Sequence, residues 1–368
     1  MTTDRIALLL CATFMGCTTP TDSPVAATTL PPSGDLPRVV ERGTVAGHEF
    51  WRGHGGVAVG PNGALAFAIS GKDADARIAL VDSTGHIISS FSRTGDGPGE
   101  IRTIGSLWFD GDTLGAFDMM AQRATRFDPA GKLLDVSQIA GIGQPVGMTT
   151  NGLAVILFGE NAPEFAVLTD DGSVASLIDR ADPAYDSLVG APFRALNTGA
   201  VPSIPALAIH GDIAAFADVW TDRIAWARNG RTFARFGEGT EPRFPTAAEV
   251  AAQLRSLEEW RGPDGKQMDP AAIARLAEEF PKQPVRVFDR RPGFGMAFDG
   301  KGRLWIPLEI ADSVVWQVFT PGRLLGTITL PCGGGESRGR SVNGAFLAME
   351  CESPADSVPI VRVWRIEG

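Results

Sequence analysis

Short hydrophobic runs, separated by turn residues, follow one another along most of the chain. Residues 55–91 read GGVAV, the turn PNG, ALAFAI, a loop, RIALVD, the turn STG and HIISSF. Runs of this length, bounded by Gly, Pro, Asn and Ser, are typical of β-strands joined by tight turns. No strong helical period appears before residue 245. The pattern therefore predicts a unit of four antiparallel strands.

The four-strand unit is repeated along the chain. Similar units occupy residues 104–136, 145–178, 205–236 and 293–330. The last copy, SVNGAFLAME and PIVRVWRIE, supplies three strands, and RVVERGTV at residues 38–45 supplies the fourth. Repeated units of this kind form propellers, and closure by the first strand pairs two sheet edges that would otherwise stay open. We therefore predict an all-β fold over residues 37–368: a six-bladed β-propeller of four-stranded antiparallel blades, closed by the N-terminal strand.

The loops differ between the two faces of the predicted disc. Turns within the blades are short on the bottom face, whereas insertions at residues 179–204 and 238–292 fall on the other, top face. The longer insertion contains a helical pattern from Thr246 to Trp260 and a second one after the N-cap Asp269. Insertions gathered on one face usually mark a binding face. We interpret the apolar stripes of these helices as packing onto the disc, and a lid or a docking surface is the alternative.

The N-terminal segment has the pattern of a targeting signal. Arg5 precedes the apolar run Ile6–Met15, which Gly16 and Cys17 close. The run is too short to span a bilayer but suits a signal-peptide core. It resembles a bacterial lipoprotein signal over residues 1–17, which implies lipidation of Cys17 and attachment to membrane lipid; a plain secretory signal is the alternative. Residues 18–36, rich in Thr, Pro and Ser, are predicted to form a disordered tether.

The cysteine content and the net charge limit the possible disulfides and partners of the chain. Two cysteines remain beyond the signal, Cys332 and Cys351, and an exported chain favours a disulfide between them over two buried free thiols. Lys and Arg total 33 against 43 Asp and Glu, a net charge of −10. Nucleic-acid wrapping requires the opposite charge, so we exclude nucleic acid as a partner.

Three motifs together resemble a known group of proteins. These are the stretch Gly-Asp-Gly-Pro-Gly-Glu at residues 95–100, the turn Phe-Asp-Pro-x-Gly at 127–131 and the lipoprotein-like start. The chain resembles, over residues 37–368, the NHL-like six-bladed propeller lipoproteins of Gram-negative bacteria. The resemblance implies the fold and a place in the cell envelope, with lipid anchoring at the outer membrane. It implies no particular activity.

The glycine-rich stretch at 95–100 is predicted to carry the chain across the top face, from the outer strand of one blade to the inner strand of the next. A phosphate loop would place a lysine before a helix, but Glu100 stands there and a strand follows. A calcium loop needs more acidic oxygens than this stretch offers. Two acid–base pairs five residues apart, Asp118 with Arg123 and Asp218 with Arg223, are predicted to bracket loops within their blades.

Arginines precede several of the predicted inner strands. They are Arg52, Arg102, Arg290, Arg291, Arg338 and Arg340. Together these residues would form a cationic ring at the top opening, and arginine suits carboxylates, phosphates and uronic sugars. Local pairing with neighbouring acidic residues is the alternative.

We therefore expect a non-catalytic binding module that needs no cofactor. Its partner would be an anionic small molecule, a peptide, a glycan or an envelope protein. One alternative is a metal-dependent hydrolase or lyase at the central channel, with calcium held by Glu160, Asp218 and Glu309 at the top ends of second strands. Another is a structural envelope subunit that docks through the helical insertion. A zinc site is not expected, because the four histidines do not occupy equivalent blade positions.

Overall fold

The computed structural model describes most of the predicted propeller. The described residues are 35–46, 56–69, 77–139, 143–158, 163–169, 173–185, 206–218, 222–237, 244–259, 267–282, 296–310, 313–332, 339–352 and 359–368. The predicted signal peptide, with Cys17, and almost all of the predicted tether lie outside them.

Strands dominate the described residues. In chain order they are β1 (Arg38–Ala46), β2 (Val57–Val59), β3 (Leu65–Ala68), β4 (Ile78–Val81), β5 (Ile87–Phe91), β6 (Ile104–Asp110), β7 (Thr113–Asp118), β8 (Arg123–Phe127), β9 (Leu133–Gln138), β10 (Gly143–Thr149), β11 (Gly152–Phe158), β12 (Pro163–Leu168), β13 (Val174–Ser176), β14 (Ala206–His210), β15 (Ile213–Ala217), β16 (Ile224–Arg228), β17 (Arg231–Phe236), β18 (Ala297–Phe298), β19 (Leu304–Ile310), β20 (Ser313–Thr320), β21 (Arg323–Pro331), β22 (Arg340–Asn343), β23 (Phe346–Glu352) and β24 (Pro359–Glu367).

These strands form six sheets of four antiparallel strands, which confirms the predicted propeller. Blades one to five are β2–β5, β6–β9, β10–β13, β14–β17 and β18–β21. Blade six contains β22, β23 and β24, and β1 is its outer strand. β1 pairs with β24 from Arg38 opposite Glu367 to Ala46 opposite Ile360, so the ring is closed by the N-terminal strand, as predicted.

The core lies between neighbouring blades, since both faces of each sheet are covered. Middle strands are rich in alanine, and larger side chains of the next blade fill the space above them. Between blades four and five, for example, Trp226 packs near Phe319, with ring centroids 6.5 Å apart. Both side chains are fully buried. Every inner strand is thereby held at the axis by packing on both sides.

The long insertion contains the two predicted helices, α1 (Ala247–Glu259) and α2 (Pro270–Glu279). Asp269 caps α2 as predicted, because its carboxylate accepts a hydrogen bond from the Ala271 N–H. Within the described residues, the helices contact each other and the 3₁₀ turn Phe280–Lys282 more than any blade. The packing of their apolar stripes onto the disc stays a prediction. No described helix is long and apolar enough to cross a membrane.

A disulfide joins the last two blades. Cys332 follows the outer strand of blade five, Cys351 lies in β23 of blade six, and their sulfurs are bonded. Both residues are buried. The bridge therefore links blade five to blade six, and blade six contains both the first and the last strand of the fold.

Candidate ligand site in the central channel

A cavity of about 260 Å³ lies on the propeller axis. All six inner strands contribute to its wall, through residues that include Val59, Ser106, Pro145, Ala208, Phe298 and Ser341. The wall continues into the short turns that follow these strands, at Gly111, Gly211, Gly300 and Gly344. The cavity therefore occupies the half of the channel nearer the bottom face, whereas the sequence predicts a site at the top opening.

Hydrogen bonds between blades fix the wall of this cavity. The Val59 N–H of blade one donates to Ser341 Oγ of blade six at 3.0 Å. The Gly300 N–H of blade five donates to the Gly344 carbonyl of blade six at 2.6 Å. Blade six is therefore hydrogen-bonded to both of its neighbours, and these bonds fix the position of its inner strand relative to theirs.

Three polar groups in the wall have no hydrogen-bond partner among the described residues. They are Ser106 Oγ, Trp108 Nε1 and Asn343 Nδ2, and all three atoms are buried. The Ser106 residue is only 5% exposed. A buried polar group without a partner costs about 1–3 kcal/mol. Because these atoms have almost no accessible surface, they are covered by the protein itself and do not face the open cavity.

The position of the Trp108 indole depends on a glycine in the adjacent strand. Trp108 pairs with Gly115 between β6 and β7. A Cβ on Gly115 would lie 2.1 Å from Trp108 Cε2, far inside van der Waals contact. The ring therefore occupies the space that a side chain at residue 115 would fill, and its N–H edge lies over β7.

Charged residues of both signs belong to the wall. Asp299 is buried, and its carboxylate accepts hydrogen bonds from Arg303 Nε at 2.7 Å and from Trp305 Nε1 at 3.0 Å. Its charge is therefore compensated outside the cavity. Asp110 is exposed at the bottom mouth, and Arg340 is buried at the start of β22. The charged side chains of the described wall are thus Arg340, Asp110 and Asp299.

His210 adds an uncharged aromatic group to the same wall. Its ring lies 5.6 Å from that of Phe298, centroid to centroid. Burial lowers the pKa of His210 below its ordinary value, although the carboxylates of Asp299 and Asp212 oppose the shift. The imidazole is therefore neutral at pH 7, when it can both donate and accept a hydrogen bond.

The predicted arginine ring is only partly within the described residues. Arg340 lines the cavity. Arg102 is exposed instead, and its guanidinium pairs with the Asp96 carboxylate in the glycine-rich crossing. This is the local pairing that the sequence left as the alternative. Arg52, Arg290, Arg291 and Arg338 lie outside the described residues, so the ring as a whole stays a prediction.

The glycine-rich crossing is held by the predicted bracket of blade two. Arg123 donates to the carbonyls of Gly95, Asp96 and Glu100. Asp118 accepts from the backbone N–H of Arg102 at 2.8 Å and lies 3.7 Å from Arg123 Nη2. These contacts hold the loop against blade two, as a segment with a purely structural role requires.

The described residues provide no cluster of acidic side chains for the calcium site of the alternative prediction. Asp218 is buried at the end of β15 in blade four, and its N–H donates to the Arg223 carbonyl. Glu309 belongs to β19 of blade five, and Glu160 lies outside the described residues. No group of three or more His, Cys, Asp or Glu side chains that could hold a metal occurs in the described part of the chain.

Sequence reasoning missed Ser106, Trp108 and Asn343, because each stands in a run that reads as an ordinary strand. The available signal was positional. Ser106 and Asn343 are polar residues within inner strands, where the neighbouring blades cover most side chains. A search of the predicted inner strands for such residues would have found them.

Comparisons with known proteins show similarity at the level of solved structures alone. No protein-family model matches the chain, and neither does any curated protein. A member of the duf4221 family from Bacteroides vulgatus has 8% identity and a TM-score of 0.48, covering 91% of this chain and 99% of its own. A putative exported protein from Bacteroides fragilis has 10% identity and a TM-score of 0.44, covering 90% and 95%. A virginiamycin B lyase from Staphylococcus aureus has 12% identity and a TM-score of 0.44, covering 89% and 99%. Because these identities and TM-scores are low, the fold is assigned from the sheet topology of this chain itself.

Proposed function

We propose that this chain is an exported, lipid-anchored binding module that holds a small ligand on the propeller axis without transforming it. The observation that carries the proposal is the axial cavity, which all six inner strands line with apolar residues and with polar ones such as His210 and Ser341. Ligand pockets combine apolar walls with a few convergent polar groups in this way. The resemblance to NHL-like propeller lipoproteins of Gram-negative bacteria supports the envelope setting.

Gly147 provides a direct test of the cavity. It lines the cavity, and a Cβ added to it would meet no atom within 4 Å. Gly147→Leu should therefore fill the site without straining the sheet, whereas Gly147→Ala should leave most of the volume. Native mass spectrometry of the full chain, equilibrated with fractions of a metabolite extract, would measure retained ligand. We expect one ligand per chain in the wild type and in Gly147→Ala, and none in Gly147→Leu with an unchanged melting temperature. Equal retention in Gly147→Leu, or no retention by the wild type from any fraction, would reject the axial site.

Lipid anchoring at Cys17 is a separate part of the proposal. The disulfide supports an oxidising compartment, since such bonds persist in exported proteins. In cells fed a radiolabelled fatty acid, the wild type should carry label and partition with membranes. Cys17→Ser should carry no label and should leave the membrane fraction. Retention of the label by Cys17→Ser would contradict the lipoprotein assignment.

A second candidate is docking to an envelope protein through the helical insertion. The contact between α1 and α2 favours it, because two paired helices within one insertion can present a single helical surface to a partner. Deletion of residues 246–281 should abolish capture of an envelope partner but leave ligand retention intact. Loss of both would show that the deletion disturbs the disc itself.

The calcium alternative has its own measurement, the metal content of the purified protein, and one calcium per chain would favour it over the binding module.

A further inference from the structure

The bottom face of the propeller carries opposite charges on opposite sides. Inner strands of neighbouring blades contact one another in chain order around the ring, so blade two lies across the axis from blade five. In blade two, Asp110 ends β6, Asp112 follows in the next turn, and Asp128 opens the turn after β8. Lys132 is the one cation in these two turns, both of which are described. The bottom turns of blade two therefore carry a net negative charge.

The bottom turns of blade five carry the opposite charge. Lys301 lies in the turn after β18, and Arg323 begins β21 directly after the other bottom turn. The Asp299 carboxylate of the same blade is already compensated, because Arg303 Nε lies 2.7 Å from it. Lys301 and Arg323 are both exposed. An electrostatic dipole therefore runs across the bottom face between blades two and five.

The charges that form this dipole are not used within the chain. Asp110, Asp112, Lys301 and Arg323 are exposed, and none of these side chains has an ion-pair partner among the described residues. On a surface that serves only solubility, charges of both signs are usually interspersed. Here they are segregated, so the face of one disc is complementary to that of a second disc turned over onto it.

Exposed apolar side chains lie close to the same bottom turns. Leu134, Val174 and Phe233 stand near the start of the outer strands of blades two, three and four. They are 51%, 59% and 43% exposed, respectively. The Phe233 ring lies 5.5 Å from the guanidinium carbon of Arg228, which ends the preceding strand. Apolar groups beside ordered charges are typical of a surface that contacts another protein.

We propose that two copies of this chain pack bottom face to bottom face, about a twofold axis perpendicular to the diameter that joins blades two and five. The axis passes between blades three and four, so blade two of each copy lies against blade five of the other. Asp110 and Asp112 then meet Lys301 at two symmetric contacts. Val174 of one copy meets Phe233 of the other in the same way. Such self-complementary twofold pairing is the commonest form of soluble homo-oligomer.

The proposed pairing is compatible with the binding function but does not depend on it. Asp110 and Gly300 also line the axial cavity, so the second copy covers the bottom mouth of the cavity. Arg38, the first residue of β1, pairs with Glu367 at the end of β24 and therefore lies at the bottom edge of blade six, near the axis. Both predicted tethers thus leave from one edge of the dimer and can reach the same membrane.

Charge reversal tests the pairing. Sedimentation equilibrium of the full chain, with Cys17→Ser in every variant to prevent association through lipid, measures the dimer dissociation constant. The constant should rise with salt, because exposed ion pairs are screened. Lys301→Glu and Asp112→Lys each place like charges together at two contacts, and each should raise the constant about tenfold or more. Arg255→Glu, the same change of charge at an exposed position of α1, is the matched control and should leave the constant unchanged.

A mixture of the two variants distinguishes lost pairing from lost folding. Lys301→Glu repels its own copy, and so does Asp112→Lys, but one copy of each restores opposite charges at both contacts. The mixture should therefore form a heterodimer about as tight as the wild-type dimer, while each variant keeps the wild-type melting temperature. Three results would each overturn the proposal: a wild type that stays monomeric over about a hundredfold range of concentration, an equal loss in Arg255→Glu, or a mixture that associates no better than either variant alone.

Discussion

Substitution of Asp118 by asparagine should loosen the crossing between blades one and two. Asp118 is fully buried, and its Oδ1 accepts from the backbone N–H groups of Thr103, Met120 and Ala121 at 3.1–3.3 Å. Its Oδ2 accepts from the Arg102 N–H at 2.8 Å. One side chain therefore links the start of the crossing's inner strand with the loop after β7.

The expected loss of stability follows from the hydrogen bonds that an asparagine side chain at residue 118 can still make. Asparagine keeps one oxygen for the three longer hydrogen bonds. Its NH₂ group then faces the Arg102 N–H at 2.8 Å and the Arg123 guanidinium at 3.7 Å, so donors meet donors. Loss of a hydrogen bond to a charged acceptor costs about 1.5–3 kcal/mol, and breaking a buried ion pair about 3–5 kcal/mol. Because Arg123 keeps three carbonyl acceptors and the two costs overlap at one carboxylate, we expect a loss at the lower end of the ion-pair range, about 3 kcal/mol.

Chemical denaturation followed by tryptophan fluorescence would measure the loss, and hydrogen exchange at the amides of residues 93–103 would locate it. Asp135→Asn is the control, since Asp135 pairs with Arg126 at 3.5 Å in the same blade and both are partly exposed. That change should cost less than about 1 kcal/mol. If the two variants lost the same stability, or if exchange in the crossing stayed at its wild-type rate, Asp118 would not be the anchor that the geometry indicates.

Three further predictions concern other parts of the ring. Replacing Cys332 and Cys351 by alanine should lower the free energy of unfolding by about 3 kcal/mol, because the bridge closes a loop across 19 positions; equal calorimetric unfolding of both proteins would contradict this. Gly115→Ala should expel the indole of Trp108, cost about 1–3 kcal/mol and raise acrylamide quenching, whereas unchanged quenching would show that the ring tolerates the methyl group. Because burial lowers the pKa of His210 below its ordinary 6.5, the unfolded state binds more protons near that pH, and stability should fall as pH drops through 6.5 toward the folded pKa. Denaturation midpoints of His210→Gln should accordingly decline less than wild type between pH 7.5 and 5.5, and parallel curves would refute the assignment.

The fold was predictable because each blade carries its own local signals. Each short turn ends one hydrophobic run and starts another, so strand order follows from the sequence without any long-range information. The closing strand is the exception, since its partner lies more than 300 residues away. It was found because the last copy lacks one strand, and an unpaired edge at each end of the chain is unfavourable. The observed strand Arg38–Ala46 agrees with the predicted 38–45.

The site was not predictable in the same way, because the cavity wall is assembled from six strands that are remote in sequence. Charged residues drew attention to the top crossings, where arginine is conspicuous. The structure uses one of those arginines, Arg102, to pair with Asp96 inside the crossing, and Arg123 from β8 binds carbonyls of the same loop. A residue such as Trp108 is recognisable as part of the wall only after the six strands have been placed around the axis.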